Sequence, residues 1–267
     1  MNYWCQTWGM KLNVEKCKVM HFGKSNLKAN YYMTDYSGND LIIEETRLER
    51  DLGVIVANDL KWSGHVDRMV GKANRMLGML KRTFESREPG LWKDLYVSLV
   101  RPHLEYAVQA WNPHLQGDID KIERVQRRAT RIPTGFEKLE YEDRLKRLSL
   151  TTLQDRRMRG DLIETYKVLS NRESIDWVKP LNLRKNVDIS GPALNVRGNS
   201  LSMRRESFSS RVRNSFCSWA TIRDNFFVDR VLQTWSSLPN NIVTSPSLNS
   251  FKSSIDEHFK RFGCYSF

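Results

Sequence analysis

The chain has 267 residues and a mass of 31.4 kDa, which allows one large domain or two to three small ones. Hydrophobic residues make up 40% of it, but the longest apolar runs fall far short of the ~20 residues that a membrane-spanning helix needs. The 43 Lys and Arg exceed the 31 Asp and Glu by 12, which excludes an acidic solvating chain. This excess favours an anionic partner, most often nucleic acid, with a basic but ordinary globular protein as the alternative.

The cysteines do not predict a disulfide framework or a zinc site. No C-x-x-C pair occurs among Cys5, Cys17, Cys217 and Cys264, and no histidine stands at metal-ligand spacing from them. Reduced thiols inside a cell are the default interpretation. No basic stretch followed by an apolar run comes after Met1, so we expect no secretory signal.

Residues 1–62 are predicted to form a helix that leads into antiparallel strands. Residues 31–36 and 41–44 flank a turn at residues 37–39, which is typical of a hairpin. A second hairpin is predicted from the apolar residues 52–56, a turn at residues 58–59 and a returning strand at residues 60–62.

From residue 63 the apolar period becomes helical. Apolar residues recur at threes and fours over residues 66–80, which predicts a helix with one buried face. At about 100° per residue, Arg68, Lys72 and Arg75 fall nearly opposite that face.

A second helix with a basic face is predicted over residues 119–132, ended by Pro133 and Gly135. Four arginines lie on its far side at i, i+3, i+4 and i+7: Arg124, Arg127, Arg128 and Arg131. Further helices are predicted at residues 91–111 with a kink or restart at Pro102, at 141–148, at 153–169, near 226–238 and from 245 onward.

The predicted fold class is α+β and mostly helical. A small antiparallel β region (residues 1–62) precedes a helical bundle (63–170), and a basic linker with a loosely structured C-terminal helical region follows (171–267).

No specific catalytic constellation is present in the sequence. There is no Gly-rich phosphate loop, no His-Glu-x-x-His and no Gly-x-Ser-x-Gly, and the five histidines are scattered. Asp118 and Asp120 lie two apart at a helix start, where they diverge and complement the helix dipole. We therefore expect no metal and no cofactor in this chain, and no activity as an isolated enzyme.

The two basic helix faces are more informative. Three or four cations opposite a buried face can follow a phosphate backbone, whereas the alternative is an ordinary charged solvent face. The aromatic residues fall mostly on inward faces, so duplex or backbone binding is favoured over base stacking.

Eight segments of the chain carry a family resemblance. They read W-x-M-K-L-N-x-x-K-C-K-V-M-H-F-G (8–23), E-R-D-L-G-V (49–54), K-A-N-R-M-L-G (72–78), L-Y-x-x-L-V-R-P-H-L-E-Y (95–106), I-E-R-V-Q-R-R-A-T (122–130), R-R-x-R-G-D-L-I (156–163), R-V-x-x-x-W-x-x-L-P (230–239) and S-P-S-L-x-x-F-K (245–252). In this order, and over nearly the whole chain, they closely resemble the reverse transcriptases of jockey-type non-LTR (LINE) retrotransposons. The first resembles the segment just after that family's catalytic box.

The resemblance implies the tail of the palm, the thumb and the C-terminal region of an RNA-directed DNA polymerase. The Tyr-Ala-Asp-Asp box, an earlier palm aspartate and the fingers are expected before Met1. Those carboxylates would hold the Mg²⁺ ions of the full-length polymerase, so this chain is expected to be inactive alone. Its implied partners are an RNA–DNA hybrid or another duplex backbone and the missing fingers and palm segment; the implied compartment is nuclear or cytoplasmic.

The resemblance also implies roles for individual residues. Leu52, Gly53 and Val54 resemble the primer-grip region, and Lys16 resembles a palm lysine proposed to protonate the pyrophosphate leaving group. The alternative for Lys16 is a solvent-exposed cation beside Glu15. The helical bundle resembles the thumb, whose grip on template–primer duplex agrees with the two basic faces found independently.

Two other functional classes remain open at this stage. In the first, the chain is a domesticated nucleic-acid-binding or interaction module. In the second, it is a translated relic with no selected function. Palm strands without their sheet partners predict exposed edges and poor solubility.

Overall fold

The computed structural model describes residues 7–10, 13–23, 26–35, 38–175, 199, 201, 203 and 225–261. The fold is α+β and mostly helical, as predicted. The chain divides into a β unit (Met1–His65) and a helical unit (Val66–Phe267). Most of the predicted N-terminal helix and most of the predicted basic linker fall outside the described residues.

The β unit contains three short strand pairs, and one of them is parallel. Strands β2 (Tyr32–Thr34) and β3 (Asp40–Ile42) form the predicted antiparallel hairpin. Strand β1 (Lys18–Val19) pairs in parallel with β4 (Glu44–Glu45), although only antiparallel strands were predicted. The chain reverses once between β1 and β2 and again within the β2–β3 hairpin, which returns β4 to the direction of β1.

The second hairpin was predicted with the wrong partner strand. Strand β6 (Val54–Ala57) pairs with the preceding β5 (Leu48–Asp51) rather than with residues 60–62. The turn consists of Leu52 and Gly53, whose φ angles of 44° and 92° are both positive, as a two-residue type I′ hairpin turn requires. After Ala57 the chain turns again, because Leu60 N donates to Ala57 O (2.9 Å), and helix α1 follows.

The helical unit is built from helices of very different length. In chain order the helices are α1 (Ser63–Thr83), α2 (Pro89–Leu95), a π-helix (Tyr96–Val100), α3 (Pro102–Glu105), α4 (Val108–Trp111), α5 (Gln116–Ala129), α6 (Tyr141–Leu148), α7 (Leu153–Leu169), α8 (Phe227–Ser237), α9 (Asn240–Val243) and α10 (Leu248–Arg261). The first turn of α1 belongs to the β unit.

Local sequence explains several of these boundaries. Thr152 caps α7, where its hydroxyl accepts from Asp155 N (3.1 Å), and Ser149 ends α6 in the left-handed conformation with φ 50°. The predictions of helices at 141–148 and 153–169 are confirmed. Helix α5 ends at Ala129, so the prediction that it continues past Arg131 was wrong.

The apolar segment from residue 89 to 111 is interrupted, and the predicted restart at Pro102 is confirmed. Glu88 caps α2 by accepting from Gly90 N (2.8 Å) and Leu91 N (2.6 Å), and these backbone bonds lower the pKa of its carboxyl. The π-helix closes with a bond from Arg101 N to Tyr96 O (2.9 Å), and Pro102 begins the next helix without needing an amide donor.

The C-terminal helices share a hydrophobic core with α7. Trp235 of α8 and Phe251 of α10 are completely buried, and the ring of Tyr166 stacks on Phe251 with centroids 4.2 Å apart. The Tyr166 hydroxyl donates to Ser245 O (2.7 Å). Helices α8 and α10 are thereby packed against α7, while the domain boundary at 170/171 stays a prediction.

A buried amide joins four segments of the helical unit. Gln126 of α5 accepts from the Tyr96 hydroxyl (2.7 Å), and its Nε2 donates to the Tyr141 hydroxyl (2.8 Å) and to Thr151 O (2.9 Å). Burial raises the pKa of Tyr96. Because each partner comes from a different segment, the amide fixes how α5 is rotated against the π-helix, α6 and the loop before α7.

We predict that Gln126→Leu lowers the free energy of unfolding by roughly 2–4 kcal/mol, because it leaves the Tyr96 hydroxyl and the Thr151 carbonyl without their amide partner and removes one of the two hydrogen bonds of the Tyr141 hydroxyl. Urea denaturation followed by circular dichroism measures this change. Gln154→Leu, at an exposed position on α7, is the control and should change stability by less than about 0.5 kcal/mol. Equal effects of the two substitutions would contradict the structural role of the amide.

Candidate nucleic-acid interface

The basic face of α1 is exposed as predicted from the sequence. Arg68, Lys72 and Arg75 are all solvent-exposed. Asp67 is the single acidic residue of α1, and it forms an ion pair with Lys121 of α5 (Nζ to Oδ1, 2.7 Å). The negative charge beside the α1 cations is therefore already balanced from a neighbouring helix.

Two bridges hold α5 beside α1. Besides the Lys121–Asp67 pair, Arg128 donates through Nη1 to Asn74 Oδ1 (2.8 Å). The partners are 54 residues apart in both bridges, so the two helices run in the same direction. The two basic helices that the sequence predicts are thus neighbours.

A cleft of about 490 Å³ lies where these helices meet, and we call it the basic cleft. Its charged lining residues are Lys81, Arg87, Arg128, Arg131 and Glu137. Within the described residues, the side chains of Lys81 and Arg131 form no hydrogen bond or ion pair. Two cationic groups are therefore available to a ligand in the cleft.

Arg87 plays a different part in the cleft. Its Nη2 donates to Lys81 O (2.9 Å) and its Nη1 donates to Phe84 O, so it satisfies carbonyl groups at the C-terminal end of α1. Its guanidinium also lies over the Trp92 ring, 4.9 Å from the centroid. Arg87 fixes the wall of the cleft and keeps a positive charge there.

The four arginines predicted on α5 do not form one row. All four are exposed, but only Arg128 and Arg131 line the basic cleft, and Arg131 lies in the turn after the helix. Arg127 lies over the Tyr141 ring, 4.1 Å from its centroid, and so faces α6. Arg124 directs Nε to Asp120 O (3.4 Å) on its own helix.

The remaining predicted site residues belong to the β unit. Lys16 is exposed in a 3₁₀ turn (Val14–Lys16), whose cap Asn13 accepts from Lys16 N (3.3 Å). Leu52 and Gly53 form the tip of the β5–β6 hairpin, with the Leu52 side chain 85% exposed, and Val54 begins β6 and is buried. Their predicted roles in primer positioning and proton donation stay predictions.

Sequence reasoning missed Asn74, Lys81 and Arg87. Asn74 and Lys81 lie on α1 but outside its basic face, and Arg87 lies beyond the end of the helix. They were missed because the residue pattern of one helix does not show which of its sides a second helix will contact. The Arg87-Glu88-Pro89 sequence does indicate a helix boundary, and that was the one local signal for Arg87.

On the other flank of α5, the carboxylate of Glu123 interacts with α6 and α7. Its carboxylate accepts from the Tyr141 hydroxyl and from Leu153 N (3.1 Å). Burial nevertheless raises the pKa of Glu123, while the hydrogen bonds and Arg157 partly offset that rise. Burial, with the charge of Glu123, raises the pKa of Tyr141 as well.

Comparisons with known proteins found no matching family model, no similar curated protein and no similar solved structure. Among the described residues, no group of three His, Cys, Asp or Glu side chains is arranged to hold a metal ion. None of the described helices combines the length and apolarity that crossing a membrane requires.

We predict that Glu123 makes stability fall as the pH rises. The pKa of Glu123 in the folded state lies above the usual value of 4.5. The folded state therefore binds the proton more tightly than the unfolded state does. This contribution to stability is complete at a pH below 4.5 and is lost as the pH rises through the folded-state pKa. Glu123→Gln should remove this loss, so its stability relative to wild type should increase from about pH 4 to about pH 7.

Urea denaturation across that range measures the difference. Glu142→Gln changes an exposed carboxylate on α6 and serves as the control. A constant difference between Glu123→Gln and wild type at all pH values would contradict the assignment.

Proposed function

We propose that the chain is the C-terminal part of a jockey-type non-LTR retrotransposon reverse transcriptase, whose helical bundle binds the backbone of a template–primer duplex. The observation that carries the binding role is the pairing of α1 with α5 around the basic cleft. Exposed Arg68, Lys72 and Arg75 lie on one of these helices, and Arg128 and Arg131 line the cleft from the other side.

The charge arrangement fits a phosphate backbone. The acidic residue of α1 is balanced by Lys121, so the α1 face presents net positive charge. Lys81 and Arg131 offer donors that no described side chain occupies, and arginine binds phosphate oxygens through paired donors. Such contacts bind without reading sequence, which suits a polymerase that moves along its template.

The proposed contribution is binding rather than chemistry. In the family, phosphoryl transfer depends on Mg²⁺ held by aspartates of the catalytic box, which the resemblance places outside this chain. The proposal therefore includes a polymerase segment as a partner and a nuclear or cytoplasmic location.

An interaction module is the second candidate, and the β unit favours it. Several of its large apolar side chains are exposed: Trp8, Leu27, Tyr31, Tyr32, Ile42, Leu48 and Leu52. Such side chains are typical of a surface that another polypeptide covers. This candidate is compatible with duplex binding by the helical unit.

We predict that Lys72→Gln/Arg75→Gln weakens binding to an RNA–DNA hybrid and flattens its salt dependence. Each lost phosphate contact should reduce the slope of log K against log salt concentration by about one, so the double variant should lose about two. Fluorescence anisotropy with a labelled hybrid, across a potassium chloride titration, measures both quantities.

Lys260→Gln/Arg261→Gln is the matched control. It removes the same charge from exposed positions on α10 and should leave the slope unchanged. Equal slopes for both double variants would show a nonspecific effect of net charge, and no binding of the wild type at low salt would reject the proposed function.

A further inference from the structure

The basic cleft between α1 and α5 is too small to hold the duplex that the proposed function assigns to this face. Its volume of about 490 Å³ lies in the range of pockets that enclose one small organic molecule. A base-paired helix can therefore contact the rim of the cleft but cannot enter it. The cleft can enclose a single unit of a polymer, such as one nucleotide.

The cationic groups of the cleft are open to a ligand. Lys81 and Arg131 are both exposed, and neither side chain forms a hydrogen bond or ion pair within the described residues. Arg128 lies beside them and donates through Nη1 to Asn74 Oδ1 (2.8 Å). With Arg87, the lining carries four cations against one carboxylate, so the cleft favours an anionic group.

The helix ends beside the cleft do not use up these cations. Helices α1 and α5 both end at the cleft, and their last carbonyl groups carry partial negative charge. Arg87 donates to Lys81 O (2.9 Å), and Arg144 directs Nη2 to Arg127 O (3.5 Å). Other arginines thus complement the helix ends, and the side chains of Lys81 and Arg131 remain for the ligand.

The other lining residues indicate a ligand with more than a phosphate. Leu77, Gly78 and Ile132 give the cleft an apolar part, which suits the face of a base rather than an ion. The Glu137 side chain is exposed at the same cleft and accepts no hydrogen bond from a described residue. A carboxylate repels phosphate but accepts from the amino group of a base, as it does from cytosine in DNA. The cleft therefore combines donors for a phosphate, an apolar surface and an acceptor for a base.

We propose that the basic cleft binds one unpaired nucleotide of a single strand that extends from the duplex, an inference that rests on the proposed function. Lys81 and Arg131 donate to its phosphate, as lysine and arginine do in backbone contacts. Its base lies against Gly78 and Ile132, and Glu137 accepts from an amino group on its Watson–Crick edge. Uracil has a carbonyl where cytosine has this amino group, so the cleft selects cytidine over uridine.

Three RNA–DNA hybrids of the same paired length test this inference with the full chain. One is blunt, and the others carry four unpaired cytidines at the 5′ or the 3′ end of the RNA strand. Fluorescence anisotropy at one low potassium chloride concentration gives a dissociation constant for each. One of the two extensions should tighten binding about tenfold, because the cleft then adds a phosphate contact and a base contact. The same extension made of uridines should bind about fivefold more weakly than the cytidine extension.

Two matched glycine substitutions on α1 separate the cleft from the duplex contact. Gly78→Leu fills the cleft without changing its charge, and the added Cβ meets Arg82 Nη1 at an ordinary 3.9 Å, so the helix accommodates it. Its binding of the blunt hybrid should equal that of the wild type, while the gain from the extension should be lost. Gly71→Leu adds the same side chain two turns earlier on α1, outside the cleft, and should keep the gain.

Glu137→Gln tests the contact with the base. The glutamine amide both donates and accepts, so it can bind uracil as well as cytosine, and the two extensions should then bind about equally. Glu142→Gln changes an exposed carboxylate on α6 that does not line the cleft, and it should keep the preference for cytidine.

Blunt-hybrid binding without a gain from either extension, or a gain that Gly78→Leu retains, would overturn this inference and leave the proposed function standing. Equal binding of the cytidine and uridine extensions by the wild type, or a preference that Glu137→Gln retains, would overturn it as well. No binding of the blunt hybrid at low salt would reject both the proposed function and the inference built on it.

Discussion

The amide of Gln126 is the constraint on which the arrangement of the helical unit depends. It is completely buried, and its acceptor and both donors meet partners from three different segments. An apolar side chain would tolerate several rotations of α5, whereas an amide whose partners lie in fixed directions tolerates one. That rotation turns Arg128 toward α1 and Arg127 toward α6.

Two sites of different character result from this one orientation. On the α1 flank, acidic charge is balanced and cationic groups remain available at the rim of an open cleft. On the α6 flank, five carboxylates and three arginines line a cavity of about 850 Å³. The first arrangement suits a long, regularly charged anionic polymer, whereas the excess of carboxylates in the second does not.

Helical periodicity predicted much of the fold, and tertiary pairing explains what it missed. The bounds of α6 and α7 followed from apolar spacing, because a buried helix face repeats over several turns. The β5–β6 hairpin was misplaced because Leu52 takes a positive φ, which few leucines do, while Asn58-Asp59 is the commoner turn sequence. The basic faces were visible in sequence, but the cleft required the Arg128–Asn74 bridge. The burial of Arg157 could not be predicted either, since a sequence shows charge but not burial.

The π-helix at Tyr96–Val100 makes this part of the chain intolerant of a change in length. Its wider turn accommodates one more residue than an α-helix would, between capped α2 and the proline that begins α3. Deleting a residue there would let the backbone close as a regular helix with every amide satisfied. It would also rotate Trp92 and Tyr96 by about 100° relative to the helices that follow, taking the Tyr96 hydroxyl away from Gln126. Insertions and deletions that preserve helicity would therefore still abolish the packing of Trp92 and Tyr96 against the helices that follow. The number of residues from Glu88 to Pro102 is thus as important for the fold as the identity of those residues.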